Sequence, residues 1–308
     1  MTDAARSAAV RVRAPGKLNV FFQVGGVQPD GYHDVASVYQ AVSLYEEIRA
    51  THAPGFSMTV RGSVDVSGVP ADDRNLALRA ARMLAAEIGY DGGVHLEVVK
   101  DVPVAGGMGG GSADAAAALV ACDALWGAGL AHTTLHALAA RLGADVPFVL
   151  MGGTAVGTGR GDELSPALAT GRLDWVIVPA EGGLSTPAVY GHLDEMRARG
   201  DAAEAPVPAA APEVLQALRT GDPRVLAGQL RNDLHQAALS LRPDLARVLD
   251  LGTEAGALAG MVSGSGPTLA FLAAGSEAAL ELQIVLSAAG LTARHVHGPV
   301  AGARVLSA

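Results

Sequence analysis

The residues best placed to do chemistry lie in one run, Pro103-Val104-Ala105-Gly106-Gly107-Met108-Gly109-Gly110-Gly111-Ser112. It follows a strand-like run, Val94 to Val99, and leads into an alanine-rich helical run, Asp114 to Leu125. Five of the six residues from Gly106 to Gly111 are glycine, which costs conformational entropy on folding. Between two apolar elements such a loop brings backbone N–H groups close to a ligand, with no Cβ in the way. The helix that follows adds unpaired N–H donors and a partial positive charge. A phosphate chain suits this construction better than any other ligand. The Walker spelling G-x-x-x-x-G-K-[ST] fails, because Gly16-Lys17 is followed by Leu18. The dinucleotide spelling G-x-G-x-x-G fails too, because Ser112 stands where the third glycine belongs.

Three further features carry candidate chemistry. Of 22 basic residues, Lys17 and Lys100 alone are lysine. In so arginine-rich a chain a retained lysine marks a site that wants a compact ammonium, with chance retention as the alternative. Asp145 stands between Ala144 and Val146 and before Pro147; it is either a solvated turn residue or an acid held for use. Tyr32 and His33 end the turn-rich stretch Gly25 to Asp34. Their rings suit either the stacking of a nucleobase or the packing of the turn itself.

These residues need strands and helices to hold them. Val10 to Arg13 and Lys17 to Val24 read as strands, with Ala14-Pro15-Gly16 a turn or bulge that sets Lys17 at a strand start. Val35 to Ala50 reads as a long strand. Asp73-Arg74-Asn75-Leu76 opens an amphipathic helix to about Ile88, and Thr133 or Thr134 caps another through Leu142. Gly152 to Leu164 is a glycine-rich strand pair, Trp175 to Pro179 a buried strand, and Ser185-Thr186-Pro187 a helix start. Residues 199–212 read as a loop, followed by helical runs to about Gly256. Met261 to Thr268 is a third glycine-rich stretch, in which Ser263 and Ser265 offer donors. A helix over Ser276 to Ala289 and two short strands complete a mixed α and β pattern.

Composition narrows the classes. A net charge of −9 disfavours nucleic-acid binding by phosphate neutralisation. The single cysteine, Cys122, lies in an apolar run and suits a reducing compartment. Asp3, Arg6 and Arg11 interrupt the opening stretch, so no secretory leader is expected. Ala115 to Leu130 is broken by Asp123 and too short to span a bilayer. A cytoplasmic, soluble protein is expected, without nucleic-acid or membrane partners.

The spelling P-x-x-G-G-[ML]-G-G-G-S, with A-P-G-K-L-N-V-F-F-x-V, P-D-G-Y-H, L-G-A-D-V-P-F and S-G-S-G-P-T, resembles the GHMP kinases over the full length. The resemblance implies an α+β, two-domain GHMP kinase fold with the active site in the inter-domain cleft. Residues 1–165 would form an ATP-binding domain with a ribosomal-protein-like fold, and residues 166–308 a second α/β domain. It further implies ATP as co-substrate with Mg²⁺, and phosphates on Pro103 to Ser112. The adenine would lie near Asn75 and Lys100, with Asp145 and Lys17 catalytic. P-D-G-Y-H is similar to members acting on a cytidine-diphosphate-linked methylerythritol in the non-mevalonate isoprenoid route. On that match Asn19, Tyr32, His33 and Thr186 would touch the acceptor. One departure stands out: many members follow the glycines with two hydroxyl residues, whereas here Ser112 precedes Ala113, so no metal ligand is assigned. A monomer or homodimer is expected. The rivals are a homoserine- or mevalonate-type kinase, which the P-D-G-Y-H turn disfavours, and a non-catalytic nucleotide-binding regulator, which the intact Lys17 and Asp145 disfavour.

Overall fold

A computed structural model of the chain describes residues 9–307; Asp3 and Arg6 of the opening stretch lie outside them. The strands expected at Val10 to Arg13 and Lys17 to Val24 are one continuous strand, β1 (Ala9–Val27), paired antiparallel with β2 (His33–Ala53). The predicted turn at Ala14-Pro15-Gly16 is a bulge, where the register jumps from Pro15–Tyr45 to Gly16–Val42. The ladder resumes on the far side, so Lys17 is fixed by strand pairing and not by a loop. β3 (Ser57–Gly62) precedes α1 (Leu76–Ile88), β4 (Gly93–Lys100) and α2 (Gly110–Trp126). α3 (His132–Leu142), α4 (Val146–Met151), β5 (Thr154–Thr158) and β6 (Glu163–Pro166) follow. The N-cap of α3 is Ala131, which has no capping side chain, and not Thr133 or Thr134; Thr134 donates its N–H to the Ala131 carbonyl inside the first turn.

The rest of the chain supplies β7 (Leu173–Val178), α5 (Thr186–Arg199), α6 (Pro212–Thr220), α7 (Pro223–Ala227) and β8 (Arg231–Asn232). It continues through α8 (His235–Leu241), α9 (Asp244–Glu254), β9 (Ala259–Val262), β10 (Leu269–Ala273) and α10 (Ser276–Ala288). It ends in β11 (Arg294–Gly298) and β12 (Arg304–Ser307). The first sheet runs β12-β1-β2-β4-β3, with β5 and β6 attached through β2 and β8 through β1. The second is β11-β7-β10-β9, antiparallel throughout. β12 therefore carries the end of the chain back to the first sheet.

Three cores stack these layers. Helices α1 to α4 cover one face of the first sheet through Leu78, Leu84, Leu119, Leu138 and Phe148 against Val12, Ile48 and Leu96. α2 is alanine-rich and largely buried, and its small residues Ala113 and Ala115 to Ala118 let neighbours approach closely. The other face of the first sheet meets the second sheet through Leu18, Val38, Trp175, Ile177 and Leu272. There the Trp175 indole N–H donates to Gln40 Oε1 at 3.0 Å, joining the two sheets. Phe271, Val176, Leu245 and Leu282 then pack α8 to α10 on the far side.

Candidate active site

The glycine loop turns between β4 and α2 and is held from three directions. Met108, its one large residue, is fully buried between the sheets and anchors the loop. The Met108 carbonyl accepts the Lys17 N–H at 2.9 Å, tying the loop to β1. Ser263, in the loop between β9 and β10, donates its hydroxyl to the Gly107 carbonyl at 3.2 Å. Gly107 (φ 78°) has to be glycine, because a Cβ there would collide with the Ser263 carbonyl. Gly109 (φ 73°) is the N-cap of α2, with Lys17 packed against it. Helix bonding begins at Ala113, whose N–H reaches the Gly109 carbonyl at 2.8 Å. Gly110, Gly111 and Ser112 thus form the first turn, with the unpaired N–H groups a phosphate requires.

Lys17 is 5% exposed. Its ammonium donates to Asn19 Oδ1 at 2.7 Å and stands 3.5 Å from Asp145 Oδ2. Asn19 passes the constraint on, donating its amide to Ser37 Oγ at 2.7 Å. Asp145 occupies the N-cap position of α4, where aspartate normally bonds the first-turn N–H groups. It makes no such bond. Its side chain, 29% exposed, faces the lysine instead. A good cap left uncapping points to a role outside the helix.

The residues expected to touch the acceptor lie on β1, at the β1–β2 turn, on β2 and at the start of α5. Asn19 is assigned to the acceptor by resemblance, yet it is buried with both ends of its amide bonded to Lys17 and Ser37. Tyr32 is exposed at the hairpin tip, and Arg160 lies over its ring at 4.1 Å while also pairing with Asp30. The His33 side chain turns inward. Its Nε2 lies 3.0 Å from both oxygens of Asp194, and its ring is 5.0 Å from the ring of Tyr190. Thr186 Oγ1 bonds Ser265 Oγ at 2.8 Å, linking the start of α5 to the loop before β10. That loop is itself pinned by Asn232, whose amide donates to the Val262 and Gly264 carbonyls.

Tyr190 is the residue that joins these groups. Burial, and then the nearby charge of Asp145, push its phenol pKa well up, so the hydroxyl stays protonated beside the carboxylate. Tyr39 is raised for the same two reasons. Tyr190, Asp194, Ser37 and Asn232 escape sequence reasoning because each depends on a partner distant in the chain. The only trace of the first two is their spacing of four on α5, which places them on one face.

Beyond the loop, Asn75, Leu76, Lys100, Val104, Ala105 and Asp114 line a cavity of about 240 Å³. Asn75 caps α1, accepting the Ala77 N–H at 2.9 Å, and donates to the Pro70 carbonyl. Lys100 donates to Glu46 Oε1 at 2.9 Å and to Asp114 Oδ2 at 2.6 Å, all three groups being almost fully buried. Burial and the neighbouring Asp114 charge raise Glu46 to about 8, against the pull of Lys100. Burial raises Asp114 to about 6, again against Lys100. Burial alone would depress the lysine, but the two carboxylates outweigh it and hold its pKa up.

Residues 75–153 match the model of the GHMP kinases N terminal domain, and residues 214–290 that of the GHMP kinases C terminal domain. A 4-diphosphocytidyl-2-C-methyl-D-erythritol kinase from Leifsonia xyli subsp. xyli is 61% identical over 304 residues, covering 97% of this chain and 99% of that one. The enzyme of the same name from Clavibacter michiganensis subsp. michiganensis is 59% identical with full coverage of both chains. The chain belongs to the 4-diphosphocytidyl-2-C-methyl-D-erythritol kinase family of GHMP kinases. A crystal structure of a 4-(cytidine 5'-diphospho)-2C-methyl-D-erythritol kinase superposes with a TM-score of 0.76 at 30% identity, covering 93% of this chain and 98% of that one. The chain is thus an ATP-dependent small-molecule kinase with the two-domain GHMP kinase fold.

The glycine cradle fits a triphosphate. No group of three or more His, Cys, Asp or Glu side chains is arranged to hold a metal among the described residues. The Asp145 carboxylate faces Lys17 beside the cradle, whereas Glu46 and Asp114 are spent on Lys100. No helix among the described residues is long and apolar enough to cross a membrane.

Proposed function

We propose that this chain transfers the γ-phosphoryl group of ATP to the 2-hydroxyl of 4-diphosphocytidyl-2-C-methyl-D-erythritol, giving the 2-phosphate and ADP in the non-mevalonate route to isoprenoid precursors. The observation that carries the chemistry is the Lys17–Asp145 pair, 3.5 Å apart and packed against Gly109 of the phosphate loop. Phosphoryl transfer asks the protein mainly for positioning and charge neutralisation.

In this reading the ATP phosphates lie on Pro103 to Ser112, with the N–H groups of Gly110, Gly111 and Ser112 directed at them. The adenine enters the cavity bordered by Asn75 and Lys100. Ser112 or Asp145 would hold a Mg²⁺ carried on the phosphates, and that ion would supply charge neutralisation. Asp145 orients the acceptor hydroxyl and takes its proton as the new O–P bond forms and the bond to the ADP oxygen breaks. Lys17 stabilises charge developing on the transferring phosphoryl. Asn19 acts by aiming that ammonium. Tyr32 supplies a stacking face for the cytosine, His33 reads its edge, and Thr186 borders the acceptor from α5.

The two lobes divide near residue 165, with β12 returning to the first. We further propose a cytoplasmic enzyme, monomeric or homodimeric, with no nucleic-acid partner; the acidic charge and the buried thiol of Cys122 support this.

ADP release from ATP·Mg²⁺ tests the reading, with the cytidylyl acceptor compared against homoserine, mevalonate and no acceptor. Stimulation by the cytidylyl acceptor alone is expected; stimulation by another alcohol would refute the roles of Tyr32 and His33. Asp145→Asn should lower kcat by ~10²-fold or more with little change in acceptor affinity. Normal turnover in that variant would remove Asp145 as the base.

A further inference from the structure

We infer that Asp194 sets the nucleobase preference of the acceptor site by fixing which nitrogen of His33 carries the proton. This rests on the reaction proposed above and assigns a positioning residue within it. Two residues one turn apart on α5 clamp the imidazole. Tyr190 lies against the ring, and Asp194 presents both carboxylate oxygens to Nε2 at 3.0 Å. An ionised carboxylate only accepts hydrogen bonds, so Nε2 must be the donor. In the neutral ring Nδ1 is then an acceptor. Nδ1 bonds no protein group among the described residues. It is the uncommitted polar atom of a residue next to the exposed Tyr32 ring.

An acceptor at that position distinguishes the two pyrimidines. Cytosine presents its 4-amino group, a donor, where uracil presents a carbonyl oxygen, an acceptor. With Nδ1 unprotonated, the cytosine amine gains a hydrogen bond, while the uracil oxygen meets a lone pair. Sites that reject by leaving polar groups unpaired discriminate far better than apolar pockets do. The Asp194 side chain is 37% exposed, so it can be replaced without opening a core.

The test compares kcat/KM for the cytidylyl acceptor and its uridylyl analogue in the wild type, Asp194→Asn and Asp194→Lys. It is joined to ¹⁵N NMR of the His33 ring. The Nε2–H tautomer is expected in the wild type. In Asp194→Asn the cytidine preference should fall by about ten-fold, the scale of one hydrogen bond, through KM rather than kcat. In Asp194→Lys the ammonium donates to Nε2, moves the proton to Nδ1 and turns the preference toward uridine. An Nδ1–H wild type, or an unchanged preference in both folded variants, would overturn the inference. A wild type silent toward both acceptors would refute the reaction itself, and the inference with it. That failure is recognisable because no wild-type preference could then be measured.

Discussion

Lys17 and Lys100 are the chain's two lysines, both buried beside the same glycine loop, yet their surroundings give them opposite tasks. Lys100 makes two charged hydrogen bonds to carboxylates that are themselves sealed from water. Its ammonium is satisfied, and the two acids outnumber it. Lys17 has one neutral partner, Asn19, and one carboxylate at 3.5 Å that remains partly open to solvent. Its charge is aimed but not consumed. In the proposed reaction a phosphoryl group arriving at the loop would meet the Lys17 ammonium, which holds a single, partly open carboxylate partner. Near Lys100 it meets only the lysine's stem and a neutralised cluster. The sequence match places Lys100 near the nucleotide; the bonding pattern makes its contribution to that cavity one of shape and charge balance.

The contrast is sharpest in paired Lys→Met variants. Lys17→Met should reduce kcat/KM by ~10²–10³-fold, the usual loss for one group stabilising transition-state charge, while the melting temperature stays close to wild type. Lys100→Met should act the other way round. It strands two buried carboxylates without a cation, a change that typically costs ~3–5 kcal/mol. At roughly 2–4 °C per kcal/mol for chains of this order, the melting temperature should fall by about 10 °C. Thermal unfolding and ADP release on both variants check the pair. A Lys17→Met protein that unfolds as early as Lys100→Met would erase the distinction.

How much of this comparison was legible beforehand depends on how local each signal is. The loop, Lys17, Asp145 and the cap at Asn75 are spelled by contiguous residues, and the structure brings Lys17 and Asp145 to the loop as expected. Glu46 is invisible in the same way that Tyr190 is. It lies within β2 as one of two consecutive glutamates, which reads as a solvated face, and its partner Lys100 is 54 residues away. β1 looked like two strands because Pro15 and Gly16 are turn residues, whereas pairing with β2 absorbs them as a bulge. Thr133 and Thr134 are good capping residues by propensity, yet the chain starts α3 after Ala131 without a side-chain cap.

The acid excess around Lys100 gives a pH-dependent prediction. Glu46 is raised from its ordinary 4.5 to about 8, and Asp114 from 3.8 to about 6. A carboxyl whose folded pKa lies above its unfolded value binds a proton more tightly in the native state. Its contribution to stability is fully present below the unfolded pKa and is lost as pH rises through the folded one. The cluster should therefore lose stability between about pH 5 and pH 8. Glu46→Gln removes the need for that proton, leaving Lys100 to balance Asp114. The variant should melt a few degrees above wild type at pH 8, on the scale of 2–4 °C per kcal/mol, with the gap closing toward pH 5. A gap that widens on acidification would show that the proton resides elsewhere.

The smallest effect expected lies at the rim of the loop, where Ala105, which lines the same cavity as Lys100, has a φ of 52°, the one non-glycine residue with positive φ among those described. Such a backbone costs an L-residue ~1–2 kcal/mol, so Ala105→Gly relieves strain in the folded loop. The same change frees the unfolded chain, which offsets ~0.4–1 kcal/mol of the gain. The net shift in stability should stay below about 1 kcal/mol, and the consequence to measure is on ATP. The Ala105 Cβ faces Gly183, where an added Cβ would stand 3.4 Å from it. Without it the empty loop has more conformations to lose, so KM for ATP should rise by about two- to three-fold, with kcat retained. If KM instead falls, the strain at Ala105 opposes nucleotide binding, and the loop of this chain is held slightly away from its bound shape.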